Sequence, residues 1–579
     1  MEIDRRTLLR LTAGAAGTAA VLPGGAAAAL GRRADDPLMT VSAEPGLAWQ
    51  LQELPVVERL RLNALSVVRR GKLTFSHVPE PLTPLSAAKV AKWRLEGEWD
   101  KIMHFFIPDM GPLLGDTVNS IEHYRSLFQT PGVDLPWVAD SFEQDTTFAE
   151  HFVAGPDPTR LVQLTSVPGK FPLTTEHLHS VPALGGDDLA TAMRAGRVYW
   201  VDLALTEGLL NGRQYGTTPK YMYSPMLALC VPVAGGAPLP FAIQCGQDPA
   251  GRRIYTPRDG YSWMLARNCL LVAHMTVYET LTHLGQTHLV MGALIDAAVR
   301  TLPATHVVAR LLRRHFEGTP FINGLVPQSL TNSGGLVDRV TGASMESLLP
   351  WLDRRLGEYS FSGNYLPARL AAVGSADTKA LPYYPFRDDG LLLWQALNRW
   401  AGEFVGAFYT SDAAVAADKP LQAFSAAVKL TDFGRTPGAI TDRQDLTDVL
   451  TMIVWTAGPL HAAVNFSQLD WMYLPAAPLA GYTPEPTGLG HTRQDWLDNL
   501  PAADVGLQHI GVGHMLTGAR TSTLGDYGTE FDSTRAAAGA ARLRADLAAT
   551  EQEIEARNAK RQQPYPYLAP SKVPNSVEI

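Results

Sequence analysis

Three cysteines in 579 residues, Cys230, Cys245 and Cys269, exclude a disulfide framework and a cysteine-ligated metal cluster. They read as buried thiols, with a Cys230–Cys245 pair left open if the two fall on adjacent strands. Charge is scarce too, at 18% of residues against 46% hydrophobic, with a formal net charge of −8. There is no dense Lys/Arg stripe with interleaved aromatics, so no nucleic-acid partner is expected. No stretch beyond the amino terminus forms an unbroken apolar span of ~20 residues, and there is no internal repeat or low-complexity segment. Gly 50 and Pro 42 supply many turns and long connections around what the composition describes as a large globular core.

The amino terminus carries the first positive signal. Asp4-Arg5-Arg6-Thr7-Leu8-Leu9-Arg10 precedes a mild Ala/Gly/Leu run and the small-residue stretch Pro23-Gly-Gly-Ala-Ala-Ala-Ala29. A charged segment, a modest apolar segment and small residues at a cleavage site make residues 1–30 a processed signal. The paired arginines fit the twin-arginine class of bacterial export signals, which implies a periplasmic or secreted protein; an ordinary secretory signal is the alternative.

Residues 31–134 read as a linker followed by amino-terminal helices, Trp49 to Arg70 and Ser86 to Phe106. Their apolar faces can act as a lid, make transient contact with a membrane surface, or pack on the main body. Residues 148–246 change texture to short apolar runs cut by Gly and Pro. Strands are expected at Val198-Tyr-Trp-Val-Asp-Leu-Ala, Met226-Leu-Ala-Leu-Cys-Val-Pro-Val and Leu239-Pro-Phe-Ala-Ile, with a turn at Ala234-Gly-Gly-Ala. From Trp263 onward the chain is mainly helical: Trp263 to Leu284, His288 to Thr301, Asp389 to Tyr409, Asp445 to Ala457 and Ser533 to Arg561. The expected fold is mainly α: one large helical domain over 135–579 with a small β-rich part ahead of its core.

The stretch from Tyr278 to His315 has the composition of a buried helix yet carries His283 and His288. A lone buried histidine is ordinarily a hydrogen-bonded core residue. Two on one apolar helix each need a buried partner, and a metal ion serves both. On a regular α-helix, residues five apart are rotated by roughly 140° and cannot converge on one ion. They line up only where the helix is widened into π geometry, which collects at functional sites. Either the pair is structural and divergent, or the helix is distorted and the pair is a ligand set.

A second motif follows at His461-Ala-Ala-Val-Asn465-Phe-Ser-Gln468. His461 and Asn465 are four apart and share a helix face; Gln468 is placed to hydrogen-bond around such a site. Alone, the pattern fits a polar helix contact better than a metal site. The carboxyl terminus, Pro574-Asn-Ser-Val-Glu-Ile579, can fray in solvent or bury its free carboxylate.

Together these pieces resemble the lipoxygenase family. Its histidine signature is matched by His283, His288, His306 and His315 in full spacing, its second motif by His461 to Gln468, and its terminus by Pro574 to Ile579. Weaker likenesses run in family order, among them Phe148-Ala-Glu-His-Phe-Val-Ala-Gly, Ile322-Asn-Gly-Leu and Arg387-Asp-Asp-Gly-Leu-Leu-Leu-Trp, from about Leu135 to the end.

The resemblance implies a single non-haem iron bound by His283, His288, His461, Asn465 and the carboxylate of Ile579, with Gln468 beside them and His306 and His315 structural. It implies insertion of dioxygen into a polyunsaturated fatty acid bearing a cis,cis-1,4-pentadiene, giving a hydroperoxide, by a monomeric enzyme. Val326 falls on the family's stereocontrol position, usually Ala or Gly, and its bulk favours an S hydroperoxide; Leu330 falls where an aliphatic side chain clamps the pentadiene, and reads equally as an ordinary core leucine. Tyr278 stands where many members have a histidine, which should leave the metal unaffected. The lipid-binding β-sandwich that precedes eukaryotic catalytic domains is not expected in the helix-like segment ahead of residue 135. The same ligand types leave open a manganese form or a fatty-acid hydroperoxide isomerase; a secreted lipid-binding protein that has lost catalysis is the third reading, which the complete ligand set argues against.

Overall fold

The computed structural model describes residues 120–129 and 134–577, apart from 215, 327–329, 332–333, 429, 431, 437, 519–521, 528–530 and 532–533, together with the strands at 68–70 and 73–75. The expected signal and the expected helix Ser86 to Phe106 lie outside the described residues. The expected helix Trp49 to Arg70 needs correction at its end: β1 (Val68–Arg70) is a strand, paired antiparallel with β2 (Leu73–Phe75). The overlooked signal is the two-residue spacer Gly71-Lys72 between short apolar-bearing runs, a hairpin spacing.

The β-rich part is a five-stranded antiparallel sheet of β3 (Val162–Gln163), β4 (Val198–Asp202), β5 (Met226–Cys230), β6 (Leu239–Gln244) and β7 (Ile254–Tyr255), in that spatial order. Val198 lies opposite Cys230, and Met226 opposite Gln244. Met226, Ala228 and Phe241 pack into one apolar cluster, while Leu227, Leu229 and Ile243 belong to the main core. Burial on both faces explains why β5 is a continuous apolar run rather than an alternating one. Cys230, Cys245 and Cys269 are all buried and free.

Beyond the sheet the molecule is helical. The segment α1 (Tyr261–Val277) continues without a break into a π-helical segment (Tyr278–Leu289) and then α2 (Val290–Thr301). Three further helices carry much of the core: α3 (Pro385–Phe408), α4 (Arg443–Trp455) and α5 (Thr534–Asn558), with α3 packed between the other two. The run Arg443–Trp471 is long and apolar enough to cross a membrane by composition, but 94% of its most apolar window is buried inside the protein. It is a core element.

A second π-helical turn (Thr456–Leu460) follows α4 and leads into a short helix, His461–Asn465. Pro459 explains it: proline lacks the N–H and collides with the carbonyl four residues back, so the turn opens. Gly458 in this turn meets the carboxyl-terminal segment, where an added Cβ would lie 2.8 Å from the Pro574 carbonyl oxygen. That segment is buried from Val573 to Val577. His315 bonds the Asn575 carbonyl at 2.7 Å, Ser576 Oγ donates to the Glu317 carbonyl, and Thr319 Oγ1 donates to the Val577 carbonyl.

Candidate metal centre

The π-helical segment aligns the two histidines that an α-helix would separate. Its widened hydrogen bonding is direct at the exit, where the Val290 N–H reaches the Gly285 carbonyl five residues back. Thr280 and Thr287 donate their hydroxyls to the carbonyls of Thr276 and His283, each four residues back, satisfying acceptors on a distorted helix. His283 Nε2 and His288 Nε2 stand 3.3 Å apart.

His461 completes the cluster from the second helix. One ligand atom from each of His283, His288 and His461 lies within 4.8 Å of the others, and all three side chains are buried. Burial holds His283 and His288 at about 3, with His283 adding to the depression of His288, so both rings are neutral near pH 7. His288 Nδ1–H donates to Asn323 Oδ1 at 3.1 Å, which leaves the Nε2 lone pair aimed at His283. Lone pairs crowded in a dry cavity are unfavourable unless a cation sits between them, so this donor set fits a metal ion.

The surrounding groups fix the rings. Asn323 grips His288 twice, its Nδ2 also donating to the His288 carbonyl at 2.7 Å. His283 Nδ1 faces Glu279 Oε2 at 3.4 Å, and burial raises that carboxyl to about 8. Asn465 donates its amide hydrogens to the Leu516 carbonyl at 2.6 Å, and its Oδ1 accepts from Gln468 Nε2 at 3.0 Å. The same Gln468 nitrogen lies 3.5 Å from His283 Nδ1. Gln468 therefore bridges the π-helical segment and the helix His461–Asn465.

Tyr278 does more than its sequence position suggested. Its hydroxyl donates to the carbonyl of Val464, next to Asn465, and its ring stacks parallel to His283 with centroids 6.2 Å apart. Asn323, Glu279 and Tyr278 were not singled out as site residues in the sequence. Glu279 could have been, since it lies one helical step before His283; Asn323 comes from a different helix, Thr319–Leu325, and only folding brings it in.

His306 and His315 stay away from the cluster. His306 caps the helix Val307–Phe316 by accepting from the Val308 N–H, and its Nε2 meets the Asp418 carboxylate at 3.0 Å. His315 lies between the Asn575 carbonyl and the Tyr527 hydroxyl. Val326 is 2% exposed, just beyond the helix that carries Asn323, and Leu330 is half-buried against the main core. Ile579 lies outside the described residues; the last described one, Val577, is fully buried.

Known proteins share this architecture. The family profile described as lipoxygenase matches residues 214–498, a span that includes His283, His288, His461, Asn465 and Gln468. The linoleate 9/13-lipoxygenase of Pseudomonas aeruginosa is 36% identical over 492 residues, covering 80% of this chain and 70% of that protein. The human hydroperoxide isomerase ALOXE3 is 31% identical, covering 80% of this chain and 65% of that one. An anaerobic crystal structure of a lipoxygenase in complex with arachidonate superposes with a TM-score of 0.79 at 25% identity, covering 92% of this chain and 83% of that one. The chain belongs to the lipoxygenase family.

Proposed function

We propose that this lipoxygenase binds one non-haem iron through His283, His288, His461, Asn465 and the terminal carboxylate of Ile579, and adds dioxygen to a polyunsaturated fatty acid with a cis,cis-1,4-pentadiene. The observation that carries the reading is the convergence of three buried imidazoles across the π-helical segment and the His461 helix. Imidazole nitrogens, an amide oxygen and one carboxylate suit iron and leave a coordination position open. Iron held by these residues would supply the one-electron chemistry needed for abstraction of a bis-allylic hydrogen and formation of the hydroperoxide.

The chain's own residues do the rest. Asn323 fixes the tautomer of His288, so that Nε2 is the ligand atom. Leu516 and Gln468 hold the Asn465 amide, which sets the direction of Oδ1. Burial of all three rings keeps water from competing at the donor atoms. Val326 acts on the stereochemistry of oxygen addition and favours the S product, with Leu330 holding the pentadiene.

Linoleate and arachidonate are the substrates to try, from the names attached to the Pseudomonas enzyme and to the arachidonate complex. The dioxygenase is preferred to the isomerase because the Pseudomonas dioxygenase has the higher identity, 36% against 31%. Residues 1–30 act as a twin-arginine export signal, the mature protein is monomeric, and its contact with a membrane surface is at most transient. The test is incubation of purified protein with each fatty acid under oxygen, following conjugated-diene absorbance, with iron and manganese measured by elemental analysis. Diene product with iron supports the reading. Diene product with manganese alone transfers it to the manganese form, and no product with no bound metal defeats it.

A further inference from the structure

A cavity of about 460 Å³ opens on the side of the π-helical segment away from its two histidines. Leu281, Thr282 and Gln286 of that segment line it, together with Leu460, the residue before His461. None of the three clustered imidazoles does. The volume is in the range of small-molecule sites, and much of the wall is apolar, including Leu366, Leu370, Phe386 and Trp455.

The cavity also holds three arginines, and they are not equivalent. Arg160 is paired with Asp157 at 2.9 Å and donates to Thr282 Oγ1. Arg355 is paired with Glu358 at 2.8 Å. Arg369 makes no side-chain hydrogen bond or ion pair among the described residues, although it is half-buried; burial and the neighbouring Arg160 act against its charge, and the more distant attraction of Tyr384 and Asp157 offsets only part of that. A half-buried cation with no carboxylate in direct contact, its nearest attracting one already paired with Arg160, marks a place where an anion is welcome.

A second group points the same way independently. Tyr359 lines this cavity and is only 4% exposed, and its hydroxyl has no hydrogen-bond partner among the described residues. Burial pushes its ionisation upward, so the hydroxyl stays protonated and able to donate. One unpaired guanidinium and one orphan hydroxyl against an apolar wall match a single negative head group on an apolar body. A compact dianion such as phosphate would leave that wall unused.

We propose that this cavity binds a monoanionic amphiphile of the alkyl-carboxylate class, with its carboxylate on Arg369 and the Tyr359 hydroxyl and its chain against Leu281, Leu366 and Leu460. An occupant touches both metal-bearing helices without reaching the metal ligands, so the site is placed to influence the centre from behind. Binding here does not depend on which metal is present or on turnover.

The test is isothermal titration of the full-length protein with dodecanoate, which has no bis-allylic hydrogen and is not consumed, and with dodecanol, which lacks the charge. Two variants are compared with the parent after circular dichroism establishes the same fold: Arg369→Gln, and Val373→Phe, which fills the cavity and leaves Arg369 in place. The expected result is one dodecanoate site in the parent that Val373→Phe abolishes and Arg369→Gln weakens by about tenfold or more, the size of one charge-assisted hydrogen bond. Dodecanol should not fill that site. Unchanged stoichiometry and affinity in both variants overturns the proposal, and so does dodecanol binding as tightly as dodecanoate.

Discussion

Asn323 holds His288 from both ends, accepting from its ring Nδ1 at 3.1 Å and donating to its backbone carbonyl at 2.7 Å. Replacing Asn323 by Ala removes both contacts at once and frees the ring to turn its donor atom away. Outer partners of ligating histidines typically change metal affinity by about 10–100-fold. Asn323→Ala should lose metal to a chelator at a concentration where the parent keeps it, measured by elemental analysis after dialysis. Equal retention would mean that packing alone orients His288.

Tyr278 tests a different tie. Its hydroxyl is the partner of the buried Val464 carbonyl, which links the π-helical segment to the His461 helix. Tyr278→Phe keeps the ring stacked on His283 but strands that acceptor. The expected cost is about 1–3 kcal/mol of stability, read as a lower denaturant midpoint. A midpoint equal to that of the parent would show that the carbonyl finds another partner.

Gly458 is needed for close approach rather than for backbone freedom. An added Cβ would lie 2.8 Å from the Pro574 carbonyl oxygen, and backbone cannot yield cheaply. Gly458→Ala should destabilise by about 1–3 kcal/mol through overpacking and should lower metal content, because the displaced segment ends on Ile579. Loss of stability with full metal retention would separate the carboxyl terminus from the metal.

A pH effect comes from outside the centre. Burial raises the Glu150 carboxyl to about 7 from 4.5, against the hydrogen bond from Tyr383 and the attraction of Arg561. Because the folded protein holds this proton more tightly than the unfolded chain, the stabilisation is fully present below about 4.5 and is lost as the pH rises through about 7. Glu150→Gln should flatten the decline of the melting temperature across that window. A parallel decline in both proteins would assign the effect to other groups.

Val326 bears on product rather than stability. Trading it for Gly opens the space its side chain fills beside the helix that carries Asn323. Chiral-phase chromatography of the hydroperoxides should show the S product of the parent giving way to R. An unchanged ratio would remove Val326 from stereocontrol.

Much of this centre was visible in the sequence because one spacing was awkward. His283 and His288 are five apart, so either the helix widened or the pair diverged; the structure has the widened helix. The second widened turn has its sign in the sequence as well, since Pro459 stands just ahead of His461 and opens the helix there. Glu279 was legible by its place four residues before His283, whereas Tyr278 was hidden because an apolar helix gives no sign of which polar groups face a neighbour. Asn323 was hidden more deeply, for its contact depends on how the helix Thr319–Leu325 docks. The hairpin at Val68–Arg70 was missed because a short apolar run fits strand and helix equally well.

The central claim is that two helices, one of them widened, bring three imidazoles to a single metal. X-ray absorption at the metal edge, combined with elemental analysis of the purified parent protein, tests it most directly. The account predicts one metal ion per chain with scattering from three imidazole rings, and loss of that metal in His283→Ala, His288→Ala and His461→Ala alike. A metal bound without imidazole scattering, or retained in full by any one of the three variants, would contradict it.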